Sequence, residues 1–348
     1  MKESVKTAKD IITSYSGKKL RIMEVCGTHT HEIFRLGIRK LLPDSIELIS
    51  GPGCPVCVTP VGFIDEACWL ALEKGCVICT FGDLIRVPGT EMSLAGARAK
   101  GGIIRPVYSP MDAVDIAAKS PDKQVVFLAV GFETTTPSAC LAVKTAKEKG
   151  LENFSLLTAN KTMPNAYAAL EGSADAFLYP GHVNAITGTG ICEELRDRGV
   201  SGVVAGFTAG ELLTALAVIV KLSQTGQPYF RNCYPRVVKP QGNPPAQKLV
   251  EQVMQPCDSE WRGLGVIPMS GMELRGEYAD FDARKKYSMP EIKGKPNPAC
   301  RCGDVLQGKC KPCDCKVFGS VCTPEHPVGA CMVSGEGACS AYYQYGNE

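Results

Sequence analysis

The sequence predicts an α/β protein with two parallel-sheet domains and a small loop-rich domain held by cysteines. Three observations carry that prediction. Eight short apolar runs alternate with helical patterns between about Leu20 and Leu222. The pattern then gives way to Pro, Gly and Asn through Pro245, and eight of the eighteen cysteines fall between Cys300 and Cys339. Strands alternating with helices imply βαβ units, hence parallel sheets covered on both faces.

The runs LRIMEV, SIELIS, CVICTF, IIRPVY, QVVFLAV, FSLLTA, AFLYP and GVVAGF have the length and apolarity of buried strands. Helices are expected between them over Val61–Lys74, Glu91–Lys100, Met111–Lys119, Ser138–Lys149, Asn165–Glu171, Cys192–Arg198 and Glu211–Gln224. The first carries apolar side chains at Val61, Ile64, Cys68 and Leu72, the spacing of a core-facing stripe. Gly75 and Gly150 stand where a left-handed glycine ends a helix. The polar stretch KSPDKQ (119–124) interrupts the series. It divides the chain into a first α/β domain at 1–118, a second at 119–245 and a C-terminal domain at 246–348. The last opens with a helix at Ala246–Met254. Beyond Pro290 periodicity is nearly absent and apolar residues are too few for an ordinary core, so a ligated metal is expected to hold the tail.

The chain has 348 residues, 45% of them apolar and 21% charged, and a net charge of +2. That balance, with no block of like charge, gives no support for a nucleic-acid or membrane-surface role. The N-terminus MKESVKTAKDIITSYSGKKL has no apolar core of a signal peptide, and no stretch approaches the roughly 18 apolar residues of a membrane span. A cytoplasmic protein is expected, where clustered cysteines serve as metal ligands or working redox pairs more often than as structural disulfides. Gly188-Thr-Gly190 lacks the third glycine of a dinucleotide fingerprint and no phosphate-loop motif occurs, so nucleotide binding is not expected.

Cys26 ends the first predicted strand, and Cys54 and Cys57 follow the second in GPGCPVC. In open parallel sheets, ligands bind beyond the carboxyl ends of the strands, so these thiols share one rim. The C-x-x-C spacing suits a reversible disulfide, and it suits chelation of one metal equally well. His29 and His31 beside Cys26 add a proton carrier or ligand. Cys76 and Cys79 have the same spacing but lie inside an apolar strand, where residues i and i+3 face opposite sides and are too far apart for a disulfide. They read as core, as do Cys68, Cys140, Cys192, Cys233 and Cys257.

In the tail the gaps between successive cysteines are irregular, at one, seven, two, one, six, eight and seven residues. Zinc ribbons show paired tight knuckles at regular separation, so the spacing favours an iron–sulfur cluster wrapped by loops. There are more cysteines than four ligand positions need. The surplus suits a disulfide that exchanges electrons with the cluster.

Several segments together resemble one family, the hydrogenase maturation factor HypD. They are EVCGTH (24–29), GPGCPVC (51–57), FGD (81–83), RVPG (86–89), GFETTTP (131–137), PGHV (180–183), WRGLG (261–265), GACMVS (329–334) and EGAC (336–339). The resemblance implies a fold of two α/β domains plus a domain holding a [4Fe-4S] cluster. It also implies a role in assembling the Fe(CN)2CO unit of [NiFe] hydrogenases, with a HypC-like chaperone and a HypE-like cyanide donor. By motif, Cys26 would hold the iron jointly with a chaperone cysteine, Cys54 and Cys57 would be the redox pair, and His29 an adjacent helper. By similarity to ferredoxin:thioredoxin reductase, Cys300, Cys315, Cys322 and Cys339 would be cluster ligands and Cys302 with Cys331 a disulfide. Cys331 in place of Cys300 as ligand stays open. Cys310 and Cys313 are extras relative to the family pattern, and GFTAGE (206–211) departs from the family's Gly-Phe-Glu-Pro.

These assignments suggest an electron path from cluster to Cys302/Cys331, to Cys54/Cys57, to iron at Cys26. Glu133 and His182 each follow a predicted strand and are further candidates. The competing classes are a stand-alone iron–sulfur thiol-disulfide oxidoreductase and a zinc-stabilised scaffold.

Overall fold

All eight predicted apolar runs form strands in the computed structural model, which describes residues 2–346. They are β1 (Leu20–Glu24), β2 (Ile46–Ser50), β3 (Val77–Thr80), β4 (Ile103–Pro106), β5 (Val125–Gly131), β6 (Phe154–Asn160), β7 (Ala176–Pro180) and β8 (Gly202–Ala205). Three more lie beyond: β9 (Phe230–Asn232), β10 (Met254–Trp261) and β11 (Gly265–Leu274). Strand β5 is buried along its whole length, as a central strand covered on both faces must be. Gly75 and Gly150 have φ of 62° and 64°, the left-handed geometry of helix ends.

The strands form two parallel sheets, in the orders β2-β1-β7-β8-β9 and β4-β3-β5-β6, plus a β10–β11 antiparallel hairpin. This arrangement corrects the expected division of the chain. The chain leaves the first sheet after β2, builds the whole of the second, and returns at β7, which pairs with β1. A cut at 118/119 separates β3 from β5, whose backbones are paired from Val77↔Val125 to Cys79↔Phe127. The KSPDKQ stretch is only the turn between a helix at Pro110–Lys119 and β5. A linear reading missed this because a crossover between sheets leaves no mark in local periodicity.

The C-terminal boundary shifts for a similar reason. Val253 at the end of the preceding helix, Met254, Met272 and Leu274 of the hairpin strands, and Tyr278 and Phe281 after them pack into the core of the second sheet, with Phe127 and Phe154. At the other end of the hairpin, Trp261 and Ile267 join a different core with Met23, Val25, Tyr167 and seven buried cysteines. The hairpin is therefore a strut between the two sheets. The tail beyond Pro290 shares this second core with the first sheet, so packing as well as any metal holds it. Its last helix (Ala338–Tyr345) lies on the helix that begins after Cys26, Gly27–Arg35, with Phe34 and Tyr342 ring centroids 4.6 Å apart.

Cys76 packs on one face of the second sheet and Cys79 on the other, as strand geometry requires. No helix among the described residues is long and apolar enough to cross a membrane.

Candidate functional site

The loops after β1 and β2 meet because residue 53 has no side chain. A Cβ on Gly53 would lie 2.2 Å from the backbone of Cys26, and the Gly27 N–H donates to the Gly53 carbonyl at 2.9 Å. Beneath this contact, buried Glu24 accepts from Thr30 Oγ1 at 2.6 Å and from Arg39 Nη2 at 2.6 Å, which locks the end of β1 to the following helix. Burial pushes the Glu24 carboxyl up against the opposing charge of Arg39.

Cys26 caps the Gly27–Arg35 helix and is 1% exposed. Burial pushes its thiol up to about 12; the N–H groups of His29 and Thr28 oppose that rise, and the Glu336 charge adds to it. The His29 ring points elsewhere. Its Nε2 bonds the Gly206 carbonyl at 3.0 Å and its ring packs on Phe207, with centroids 4.9 Å apart. With Nε2–H donating, Nδ1 is the lone-pair nitrogen, and it is buried without a partner among the described residues. Burial and nearby His182 lower His29 to about 3, so the ring is neutral at physiological pH. His182 also stacks on Phe207, with centroids 5.2 Å apart. His31 faces the tail instead, with Nδ1 3.1 Å from the Gly335 carbonyl. GFTAGE, the segment that departs from the family pattern, starts a helix through a Thr208–Glu211 capping box and supplies Phe207 to both histidines.

Cys54 and Cys57 bracket one helical turn, Pro55–Val58, and Cys54 Sγ accepts the Cys57 N–H at 3.4 Å. Both are buried, at 2% and 0% exposure. Cys57 has two thiol neighbours, Cys54 and Cys331. Cys331 lowers the Cys57 thiol, but Cys54 and burial outweigh it and hold that thiol well above its usual range. Cys331 in turn meets Cys302 and Cys339, and Cys302 meets Cys300. Contact with Cys300 and Cys331 pulls the Cys302 thiol below its usual range. Cys54, Cys57, Cys331, Cys302 and Cys300 are thus successive neighbours, each thiol perturbing the next.

At the far end of that line, Cys300, Cys302, Cys315, Cys322 and Cys339 border a small enclosed space with Val305, Val317, Phe318 and Met332. Gly329 forms part of its wall. A Cβ there would strike Cys300 Sγ at 2.4 Å and Cys302 Sγ at 2.6 Å, so only glycine leaves both sulfurs in place. An all-thiol donor set in an apolar cradle fits an iron–sulfur cluster by its chemistry. The thiols surround a space instead of converging on a point: no three or more His, Cys, Asp or Glu side chains among the described residues are placed to hold a single metal ion. Cys331 does not border the space, and Cys310 and Cys313 lie outside it, Cys313 exposed.

Over the two rims lies a cleft of about 430 Å³, lined by Thr28, Cys54, Asp83, Thr134, His182 and Glu336 among others. Sequence reasoning quoted FGD and EGAC but gave no role to Asp83, Ser334 or Glu336. In the structure Thr28 Oγ1 donates to Glu336 Oε1 at 2.6 Å, and Ser334 Oγ donates to Asp83 Oδ2 at 3.1 Å. These bonds draw the tail over both sheets, and Arg86 of RVPG adds a bond to the Pro324 carbonyl at 2.9 Å. The only available signal was an acidic residue inside a cysteine motif. Glu133 is buried behind the cleft; it accepts the Met163 N–H at 2.8 Å, and burial raises its carboxyl to about 7.

Two parallel sheets meeting at a cleft at their strand ends, with buried thiols beside it and further cysteines around an apolar space, define a cysteine-rich α/β protein. Residues 2–346 match the family described as "Hydrogenase formation hypA family", named HypD. The chain is 43% identical over 343 residues to the hydrogenase maturation factor HypD of Cupriavidus necator, covering 95% of this chain and 90% of that one. It is 44% identical over 341 residues to HypD of Escherichia coli, with 95% and 91% covered. It is 43% identical over 350 residues to a putative hydrogenase expression/formation protein of Methanocaldococcus jannaschii, with 98% and 97% covered. The chain belongs to the HypD family of hydrogenase maturation factors.

Proposed function

We propose that this protein holds iron while the CN and CO ligands of a [NiFe] hydrogenase are assembled, and supplies electrons to that iron through its thiols. The observation that carries this reading is the succession of neighbouring buried thiols from Cys54 and Cys57 through Cys331 and Cys302 to Cys300. In this reading the cargo iron is held by Cys26 together with a thiolate of a HypC-like chaperone, and cyanide arrives from a HypE-like donor. The 430 Å³ cleft suits a small cargo. The burial of Cys57 argues against a stand-alone oxidoreductase, because a protein disulfide has no direct approach to it.

Cys300, Cys315, Cys322 and Cys339 would hold a [4Fe-4S] cluster, which when bound supplies electrons one at a time. The chain's own residues do the rest. Conversion of the Cys54–Cys57 dithiol to a disulfide releases two electrons and two protons to the cargo site. Cys331, between Cys57 and Cys302, passes reducing equivalents back to the pair by thiol–disulfide exchange. Neutral His29, whose Nδ1 has no partner among the described residues, offers a hydrogen-bond acceptor and holds no proton there at rest. The helix N-terminus beneath Cys26 favours its thiolate but burial outweighs it, so binding of a cation would be needed to hold that sulfur ionised.

Cys331→Ser tests this succession at its middle. Iron and sulfide content are expected to stay at wild-type level. The Cys54–Cys57 disulfide, followed by differential alkylation and mass spectrometry, should no longer be reduced, and hydrogenase maturation should fall to background. Full maturation by that variant would sink the relay.

A further inference from the structure

Arg262 sits in the turn of the β10–β11 hairpin, between the two thiol centres. Its backbone N–H donates to the Val58 carbonyl at 2.8 Å, and its Nε donates to the Thr59 carbonyl at 2.7 Å. Both acceptors are at the end of the short Cys54–Cys57 helix. The turn also touches the tail: Gly263 lies so close to Gly303 that a Cβ on it would be 2.2 Å from the Gly303 Cα. Arg262 therefore reaches toward the cysteine cradle from a fixed base. With Cys300 and Cys302 it borders one recess of about 250 Å³, and its charge lowers the Cys300 thiol against the larger raising effects of Cys302 and burial.

The guanidinium has one nitrogen, Nη2, that is buried and has no acceptor among the described residues. A guanidinium is always charged, and a buried donor without an acceptor is rare because its desolvation goes uncompensated. Two carboxylates border the recess, and neither takes this donor. Asp304 pairs with Arg301 at 3.0 Å, and Glu260 forms no ion pair with Arg262 among the described residues. Two sulfurs also border the recess, and Cys300 is the one on which the Arg262 charge acts, so in its ligated, thiolate form it is the candidate acceptor.

We propose that Arg262 is the counter-charge of the cysteine centre: its free N–H donates to the Cys300 thiolate and stabilises the extra negative charge the centre acquires on reduction. This rests on the reading of Cys300 as a cluster ligand. Hydrogen bonds to ligand sulfur and nearby positive charge both raise a cluster's reduction potential. The same side chain is anchored to the Cys54–Cys57 helix, so it sets the driving force between the two ends of the succession of thiols. Arg262 is a positioning and electrostatic residue and does not touch the cargo.

The test compares full-length wild type, Arg262→Gln and Arg262→Lys, all purified without oxygen. Iron, sulfide and visible absorbance report whether the centre is present, and titration against redox dyes reports its potential. The Gln variant is expected to retain the centre with a reduced-to-oxidised ratio at fixed poise lower by about tenfold, a shift of about 59 mV for one electron. Lys keeps the charge but not the planar fork, so a smaller fall is expected. An unchanged potential in an iron-loaded Gln variant would overturn the proposal and leave Arg262 a structural tether. Should Gln lose the iron, Lys decides: a lowered potential supports the proposal and a wild-type potential overturns it. A wild-type chain without iron and sulfide would instead overturn the cluster reading, and this proposal with it.

Discussion

At the scale of single residues, the sequence was most legible where a residue type has few uses. Cys26, Cys54 and Cys57 were read as one rim from strand-end geometry alone, and the Gly53–Cys26 contact places their loops against each other. Cys76 and Cys79 were read as core because a strand separates i and i+3, and they pack on opposite faces. Glu336 and Arg262 were not legible, because a charged residue's role depends on what the fold brings beside it. Glu133 shows the same dependence and yields a pH test. Its folded-state carboxyl is raised to about 7 from an ordinary 4.5, so the native state favours the protonated form. The stability this contributes is fully present below about pH 4.5 and is lost as pH rises through about 7. The loss amounts to roughly 3 kcal/mol at most. Glu133→Gln is isosteric and keeps an acceptor for the Met163 N–H. It should match wild type near pH 4.5 in chemical denaturation and exceed it by up to that amount near pH 8. Equal stability at both pH values would mean that Glu133 is not buried in the charged form's disfavour.

At the scale of elements, periodicity located strands well and their partners not at all. The apolar runs became strands of four to seven residues, most of them buried along their length, while β4 at the sheet edge is largely exposed. The β10–β11 hairpin went unseen: β10 reads MQPCDSEW, buried at its two ends and alternating between partly buried and exposed in the middle, with little apolar content. It is nonetheless the element that couples the two sheets to the tail. Gly263 has φ of 81° and no room for a Cβ against Gly303. Gly263→Ala should therefore combine backbone strain of about 1 kcal/mol with displacement of the Cys302 helix. Far-ultraviolet circular dichroism is expected to stay near wild type while bound iron per chain drops sharply. Normal iron content would show that the tail does not depend on this contact.

At the scale of the whole molecule, chain order and spatial order part company. The first sheet is built from residues 20–50 and 176–232, and the second, from residues 77–160, is inserted between them. A fragment of residues 1–118 would lack β7, the partner of β1, and β5, the partner of β3, leaving central strand edges bare. It is expected to aggregate and to show no cooperative unfolding by size exclusion and circular dichroism; a monomeric, cooperatively folding fragment would contradict the interleaved architecture. The sequence by itself determined the α/β class, the eight core strands, the family and the identity of the thiols, because each rests on local period or on a residue type with narrow chemistry. Tertiary structure alone decided which thiols touch which. It threaded Cys331 between Cys57 and Cys302, left Cys310 and Cys313 outside the cradle, and set Arg262 between the two centres. Those are contacts between segments up to about 270 residues apart, and only packing of the tail and the hairpin tip against the first sheet brings them together.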